Sequence, residues 1–299
     1  MLNTSDRESI FRMPPQVTFS FLTLISVAIW WRALTSTFAL ALRDDQYTHI
    51  LLILPVSVAL IFVDWKSPEP STAKGVSFGS SLLALAVLLT VLARFHALPL
   101  QTDEQLSANM LALVVWWVGA FIFCFGTRAF RRAVFPLGFL LWLVPFPEFL
   151  LSPIIRLLQE GSAVSARVLF AAVGIPVAQN GTLLSIPGLT MEVARECSSI
   201  RSSLMLVVTT MVIAQTLLRT IWRKTVVIAL AIPLSVAKNG LRIFVLAMLA
   251  TRVDRSFLTG RLHHQGGIIY FLIALAAISL LVWVARFGEQ KPALTSPGR

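Results

Sequence analysis

Apolar residues run through this chain in long unbroken stretches, and that continuity limits what it can fold into. The runs lie near Val17–Leu34, Ile50–Trp65, Val76–Phe95, Met110–Phe125, Phe135–Leu151, Ile200–Leu218, Val226–Ala250 and Gly267–Val284. Each approaches the length of a bilayer crossing. Lipid offers backbone groups no hydrogen-bond partners, so a spanning segment is a helix or belongs to a closed barrel. These runs do not alternate with polar residues, which selects helices. Of the 299 residues, 57% are hydrophobic and 13% charged, against about 45–50% and about 25% in soluble domains. A water-soluble fold has no place for that excess. The expectation is an all-α polytopic membrane protein with about eight transmembrane helices, forming one domain over residues 1–299.

A formal net charge of +11 raises the possibility of a nucleic-acid partner. In a membrane protein, Lys and Arg collect in cytoplasmic loops and set topology, so no nucleic acid is expected; the partner at this level is the lipid bilayer. Arg128, Arg131 and Arg132 form one basic cluster, and Arg219, Arg223 and Lys224 another. With Lys66, Lys74 and the tail residues Arg286, Lys291 and Arg299, they place both termini (1–16 and 287–299) in the cytoplasm. Asp44, Asp45, Asp103 and Glu104 then fall outside. An inserted first helix accounts for the run from Val17 better than a cleaved signal does. Arg252, Arg255 and Arg261 go against this scheme: either that outer loop has a functional need for positive charge, or the topology differs.

Pro153–Val173 has a helical pattern but carries Arg156, Gln159, Glu160 and Arg167, and is expected to lie at the outer interface. Ile175–Glu192 alternates around Asn180-Gly181, a hairpin turn signal, so a small extracytoplasmic hairpin should deliver the chain toward Cys197.

Two cysteines occur, Cys124 and Cys197. Cys124 sits mid-run between Phe123 and Phe125, where a buried thiol is ordinary, and a structural disulfide to Cys197 is not expected. Cys197 directly precedes an apolar run, with Ser198 or Ser199 available to cap a helix there. A thiol at a helix N-terminus meets the positive end of the macrodipole; position alone leaves reactivity and packing both open. Arg242, in Lys238-Asn239-Gly240-Leu241-Arg242, lies about 18 residues past Lys224, or roughly 27 Å along a helix. That depth is level with Cys197. An Arg embedded in an apolar run is a functional candidate, the alternative being a snorkelling side chain. Asn239 shares its helix face. His263 and His264 occupy the next outer loop. Together a thiol, an imidazole and a guanidinium supply a nucleophile, its proton partner and a group to hold a carbonyl oxygen or carboxylate. The Cys and His spacing fits no standard metal-ligand pattern, and neither a metal nor another cofactor is expected.

These residues also carry a resemblance. Tyr47-Thr48-His49 leading to Pro55, Val144-Pro145-Phe146-Pro147, Val173-Gly174-Ile175-Pro176-Val177 and Gly181 match one family pattern. So do Glu192-Val193-Ala194-Arg195-Glu196-Cys197-Ser198 with Ile200-Arg201, then Pro233, Asn239 and Leu241-Arg242-Ile243, and finally His263 with Gly267 and Phe271. Over most of its length the chain resembles the exosortase/archaeosortase family of membrane transpeptidase-like cysteine enzymes. The resemblance implies Cys197 as nucleophile, Arg242 as the essential arginine and His263 as the third catalytic residue. Asn239, Arg201, His264 and His49 stand as supporting or substrate-binding candidates. The family usually has Gly after Cys-Ser, where Ser199 stands here, and the adjacent rings of His263 and His264 compete for one role. The implied partners are secreted proteins with a C-terminal sorting tail of Pro-Glu-Pro type and an unidentified acceptor nucleophile. The implied location is a bacterial cytoplasmic membrane, with the site facing the periplasm. A transporter or a non-catalytic membrane assembly subunit would be the other classes. The first should show repeated halves, which this sequence lacks, and the second has no need of Cys, Arg and His together.

Overall fold

The computed structural model describes residues 14–63, 73–94, 102–193, 200–254, 256 and 267–287. By its contacts the chain divides into two compact units, Met1–Glu148 and Phe149–Arg299.

The first unit begins with α1 (Pro15–Ile29) and α2 (Trp31–Arg43). Pro15 sits in the first turn of α1, where its missing N–H costs nothing. The run expected as one span from Val17 to Leu34 is instead a pair of helices bent by 73°. Thr23 and Ser26 donate their hydroxyls to carbonyls in the preceding turn of α1, a back-bonding that bends helices. Trp117 Nε1 donates to Ser26 Oγ at 2.8 Å and pins the bend. After a 3₁₀ turn at Asp45–Tyr47, α3 spans Ile50–Val63.

α4 (Ala73–Arg94) and α5 (Thr102–Arg132) pack at close range. A Cβ added to Gly79 would stand 2.6 Å from the backbone nitrogen of Phe123. Small residues at such a seam let two backbones approach, the usual route to dispersion energy between helices in lipid. Cys124 on α5 is buried, as its surroundings in the sequence indicate.

The fifth expected span, Phe135–Leu151, is also corrected. α6 (Val134–Phe139) and a 3₁₀ turn (Leu140–Leu143) end at Val144-Pro145-Phe146-Pro147, and α7 (Glu148–Ala172) leaves at 94°. A residue before proline is driven out of the helical region, and here two prolines alternate. The carbonyls freed at the break are taken up: Ser107 Oγ donates to Pro145 O at 2.8 Å and Tyr47 Oη to Phe146 O at 3.4 Å.

In the second unit, α7 starts before the expected Pro153 and is amphipathic. Ile155, Leu158, Ala163, Ala166 and Phe170 are buried, while Arg156, Glu160 and Arg167 are exposed. The expected hairpin at Asn180-Gly181 forms, and a third strand extends it. β1 (Ala178–Asn180), β2 (Leu183–Ile186) and β3 (Leu189–Glu192) make an antiparallel sheet pairing Gln179 with Leu184 and Ser185 with Thr190. The turns use Gly181 at φ +59° and Gly188 at φ +80°, backbone that other residues reach only at a cost.

α8 (Ile200–Leu217), α9 (Ile221–Arg252) and α10 (Gly267–Phe287) complete this unit. Leu206, Ala214, Val227, Ala231, Ala274, Ile278 and Val282 form the core between them. Toward its C-terminal half α9 changes partners: Ile243 and Ala247 pack with Ala163, Ala166 and Phe170 of α7 and with Leu184 and Ile186 of the sheet. Among the described residues, six helices are long and apolar enough to cross a membrane, or up to eight spans if each bent pair counts as one. The fold is an all-α polytopic membrane protein with a small appended sheet.

Candidate functional site

α9 carries a run of buried polar residues that an apolar spanning helix would not otherwise tolerate. Ser235, Lys238, Asn239 and Arg242 are exposed by 1%, 6%, 1% and 9%. A helical repeat sets Ser235, Lys238, Asn239 and Arg242 along one stripe. α7 and α8 supply the groups that receive it.

Each described bond along the stripe joins α9 to a neighbour. Ser235 Oγ donates to Ser203 Oγ of α8 at 2.6 Å, and Lys238 Nζ donates to Ser202 Oγ one residue earlier. Asn239 Nδ2 donates to Ser162 Oγ of α7 at 2.9 Å, and the Ser162 hydroxyl in turn donates to Leu158 O at 2.6 Å. Gly240 makes the approach of α7 possible: a Cβ there would fall 2.4 Å from Ser165 Cβ and 3.0 Å from the nitrogen of Ala166. Arg242 stands at the far end. Its Nη1 lies 3.9 Å from the point where a Cβ on Gly267 would be, so the guanidinium meets the first residue of α10. Tyr270, one turn into α10, is within electrostatic reach of Arg242.

The sequence candidates are distributed as follows. Arg242 and Asn239 come together on α9, both buried, as the sequence indicates. Arg201 is the second residue of α8 and is exposed. His49 belongs to the first unit and is 1% exposed, with Nδ1 3.2 Å from Gln46 O and its ring edge-on to Trp142 at 6.2 Å. Cys197, His263 and His264 lie outside the described residues. Among the described residues no group of three His, Cys, Asp or Glu is arranged to hold a metal.

Lys238, Ser202, Ser203, Ser235 and Ser162 were not among the sequence candidates. Lys238 carried a usable signal: it is charged, within the same apolar run as Arg242, and one helical turn away from it. The serines carried none, because a lone hydroxyl on a spanning helix usually bonds back to its own turn.

The protein is thus a polytopic helical membrane protein with two cations buried on one helix, where that helix meets the starts of two others. The family model of transmembrane exosortases matches residues 17–280, and the chain belongs to that family. Among curated proteins and solved structures, none matches the chain.

Proposed function

We propose that the protein is a membrane-embedded cysteine peptidase or transpeptidase that acts on the C-terminal sorting tail of secreted proteins. The observation that carries this reading is the position of Arg242. Its guanidinium is buried against Gly267, and α9 is joined at Lys238 to the first turn of α8. Cys197 precedes Ile200 by three residues and His263 precedes Gly267 by four. Extended chain covers at most about 3.6 Å per residue. By chain length alone, the Cα atoms of Cys197 and His263 are therefore tethered within roughly 11 Å and 14 Å of those of Ile200 and Gly267. Family membership supports the same three residues.

In this mechanism a substrate tail lies in the bilayer and its motif reaches the outer interface. The Cys197 thiolate attacks the scissile carbonyl carbon, and Arg242 stabilises the oxyanion or holds the motif. The C–N bond breaks as His263 gives a proton to the leaving amine. The resulting thioester passes to an acceptor amine, or to water, whose proton returns to His263. Asn239 keeps α9 against α7 through Ser162 and so fixes the depth of Arg242. The location that fits is the bacterial cytoplasmic membrane, with the site on the periplasmic side.

Mass spectrometry of a co-expressed tailed protein tests the proposal. With the wild-type enzyme the tail is removed at one bond. With Cys197→Ala the enzyme stays in the membrane and the substrate keeps its tail. Normal processing by that variant would sink the mechanism.

A further inference from the structure

We infer that α2 lies along the bilayer interface, with Trp31, Phe38 and Leu42 seated in the acyl layer and Arg32 and Arg43 on the phosphates of anionic lipid headgroups.

The bend between α1 and α2 sets the direction. α1 has 15 residues, about 22 Å of helix, which falls short of a hydrocarbon layer of about 30 Å. α2 has 13 residues, or about 20 Å. At 73° to α1, it advances only about 6 Å along the axis of α1 and about 19 Å sideways. The pair together reaches about 28 Å. With α1 crossing the bilayer, α2 therefore runs across the end of that crossing, where hydrocarbon gives way to headgroups. The corner is held in place. Trp30 is 1% exposed and its ring lies 5.7 Å from that of Trp116. Arg94, at the end of α4, donates from Nη2 to Ile29 O at 2.6 Å, covering a carbonyl at the break.

The faces of α2 fit that depth. Residues spaced by four, three and four lie in one stripe along a helix, and the sequence sorts into three adjacent stripes of distinct chemistry. Trp30, Leu34, Thr37 and Ala41 are all buried and face the protein. The next stripe holds Trp31, Thr35, Phe38 and Leu42. Trp31 and Leu42 are 59% and 75% exposed, and Phe38 is half-buried. Thr35 does not spoil this apolar flank, because its hydroxyl bonds back to the carbonyls of Trp31 and Arg32. The third stripe is Arg32, Ser36, Ala39 and Arg43, in which both arginines and Ser36 are exposed.

The occupant follows from the two exposed stripes taken together. Water does not suit a Trp–Phe–Leu flank, and hydrocarbon does not suit two arginines; the boundary between them suits both. Trp is at home there, with an apolar ring body and a polar N–H. α2 contains no acid. Asp44 follows it, with its carboxylate accepting from Gln46 N in the next turn, and Asp45 is exposed beyond that. Arg32 and Arg43 lie about 16 Å apart on one stripe, and the exposed Arg94 adds a third cation at the corner. Anionic headgroups supply the complementary charge in the plane where α2 runs. The consequence is a fixed depth for the first unit: α2 leads directly into the Asp45–Tyr47 turn, where Tyr47 Oη bonds Phe146 O at the broken helix.

Nitroxide labels on the full-length protein test this. The chain has two cysteines, so Cys124→Ala with Cys197→Ala gives a background without thiols. Thr35→Cys, Ser36→Cys, Ala39→Cys and Leu42→Cys are labelled singly in vesicles of phosphatidylcholine and phosphatidylglycerol. Collision with oxygen reports the acyl layer, and collision with a water-soluble nickel chelate reports the aqueous side. Labels at 35 and 42 should be oxygen-rich and shielded from nickel, at depths that differ by about 3 Å. Labels at 36 and 39 should meet nickel several-fold more often. A depth difference of about 10 Å between 35 and 42 would make α2 a crossing helix and overturn the inference. Nickel reaching position 42 as readily as 36 would place the flank in water, and a label at 42 shielded from both reagents would place it against protein; either overturns it. For the headgroups, replacing phosphatidylglycerol by phosphatidylcholine should raise nickel collisions at Leu42→Cys about twofold. With Arg32→Gln and Arg43→Gln added, the lipid exchange should change little. The same response with and without the arginines overturns their role. Thermal unfolding reports the folding of each variant, and Phe38→Cys replaces any apolar-flank variant that does not fold.

Discussion

Gly240→Ala isolates the contact on which the polar stripe of α9 depends. On an isolated helix the change is favourable, by about 0.8–1.0 kcal/mol. The structure reverses that sign. The new methyl would lie 2.4 Å from both Cβ and Oγ of Ser165 and 3.0 Å from the nitrogen of Ala166. Rotating the serine clears Oγ but leaves its Cβ and the backbone nitrogen in place. Restoring ordinary contact requires α7 and α9 to separate by about 1 Å, and a gap of that size forfeits about a quarter to a half of each dispersion contact along the seam. The Asn239–Ser162 bond, now 2.9 Å, would lengthen beyond hydrogen-bonding range. Overpacking of this kind costs about 1–3 kcal/mol and losing the Asn239–Ser162 bond about 0.5–1.5 kcal/mol more, so the net loss should be about 0.5–3.7 kcal/mol once the helix-propensity gain of about 0.8–1.0 kcal/mol is subtracted. Denaturant or thermal unfolding of the purified protein measures it. Ser165→Gly removes the Cβ and Oγ that clash, and the double variant should recover most of the loss. A Gly240→Ala protein as stable as wild type, or a double variant no better than the single, would refute the reasoning.

Three further outcomes follow from other contacts. Gly79→Ala drives a methyl to 2.6 Å from the backbone of Phe123, whereas Gly138→Ala meets nothing within 4 Å; unfolding should show the first destabilised by about 1–3 kcal/mol and the second unharmed. Ser203→Ala and Ser235→Ala each leave a buried hydroxyl facing a methyl, at a cost of about 1–3 kcal/mol apiece, and the double variant should lose clearly less than the two together. Arg242→Lys keeps the charge and loses the planar fork; tail processing should fall about tenfold or more, and full activity would show that charge alone suffices.

The sequence makes the helices legible because lipid allows few alternatives, but it hides where they break. Phe135–Leu151 reads as one apolar run, yet Pro145 and Pro147 split it by 94°; hydrophobicity is blind to backbone direction, and the prolines were the available sign. The break at Trp30 has no proline. Beside it Ser26 and Thr23 back-bond within α1 and Ser26 accepts from Trp117, a contact 91 positions away in sequence that local pattern does not reveal. The third strand was hidden similarly, since Leu189–Glu192 is short and pairs only through a Gly188 turn. At the site, Arg242 announces itself as a charge where charges are costly. Lys238 has that property too, but no resemblance pointed to it. Ser162, Ser202 and Ser203 become meaningful only when α7 and α8 are seen against α9.

The length of α9 bears on the positive residues that opposed the simple topology. It has 32 residues, about 48 Å of helix against a hydrocarbon layer of about 30 Å. α8, with 18 residues, spans only about 27 Å. Because Lys238 bonds the first turn of α8, the α9 residues beyond it run on past the end of that neighbour. There they pack on α7 and the sheet through Ile243 and Ala247. Arg252 ends the helix about 15 Å beyond Arg242 and is exposed. Arg252 therefore stands clear of the level at which α8 begins, and its charge adds no burial cost to the stripe below. Lys238 and Arg242 differ in kind: they lie where α8 and α10 start, at the boundary between apolar helix packing and the appended sheet. A chain that placed cations there for topology alone would leave them exposed, as it does with Arg252. Burying them instead, bonded to Ser202 and set against Gly267, indicates that the positive charge is directed inward.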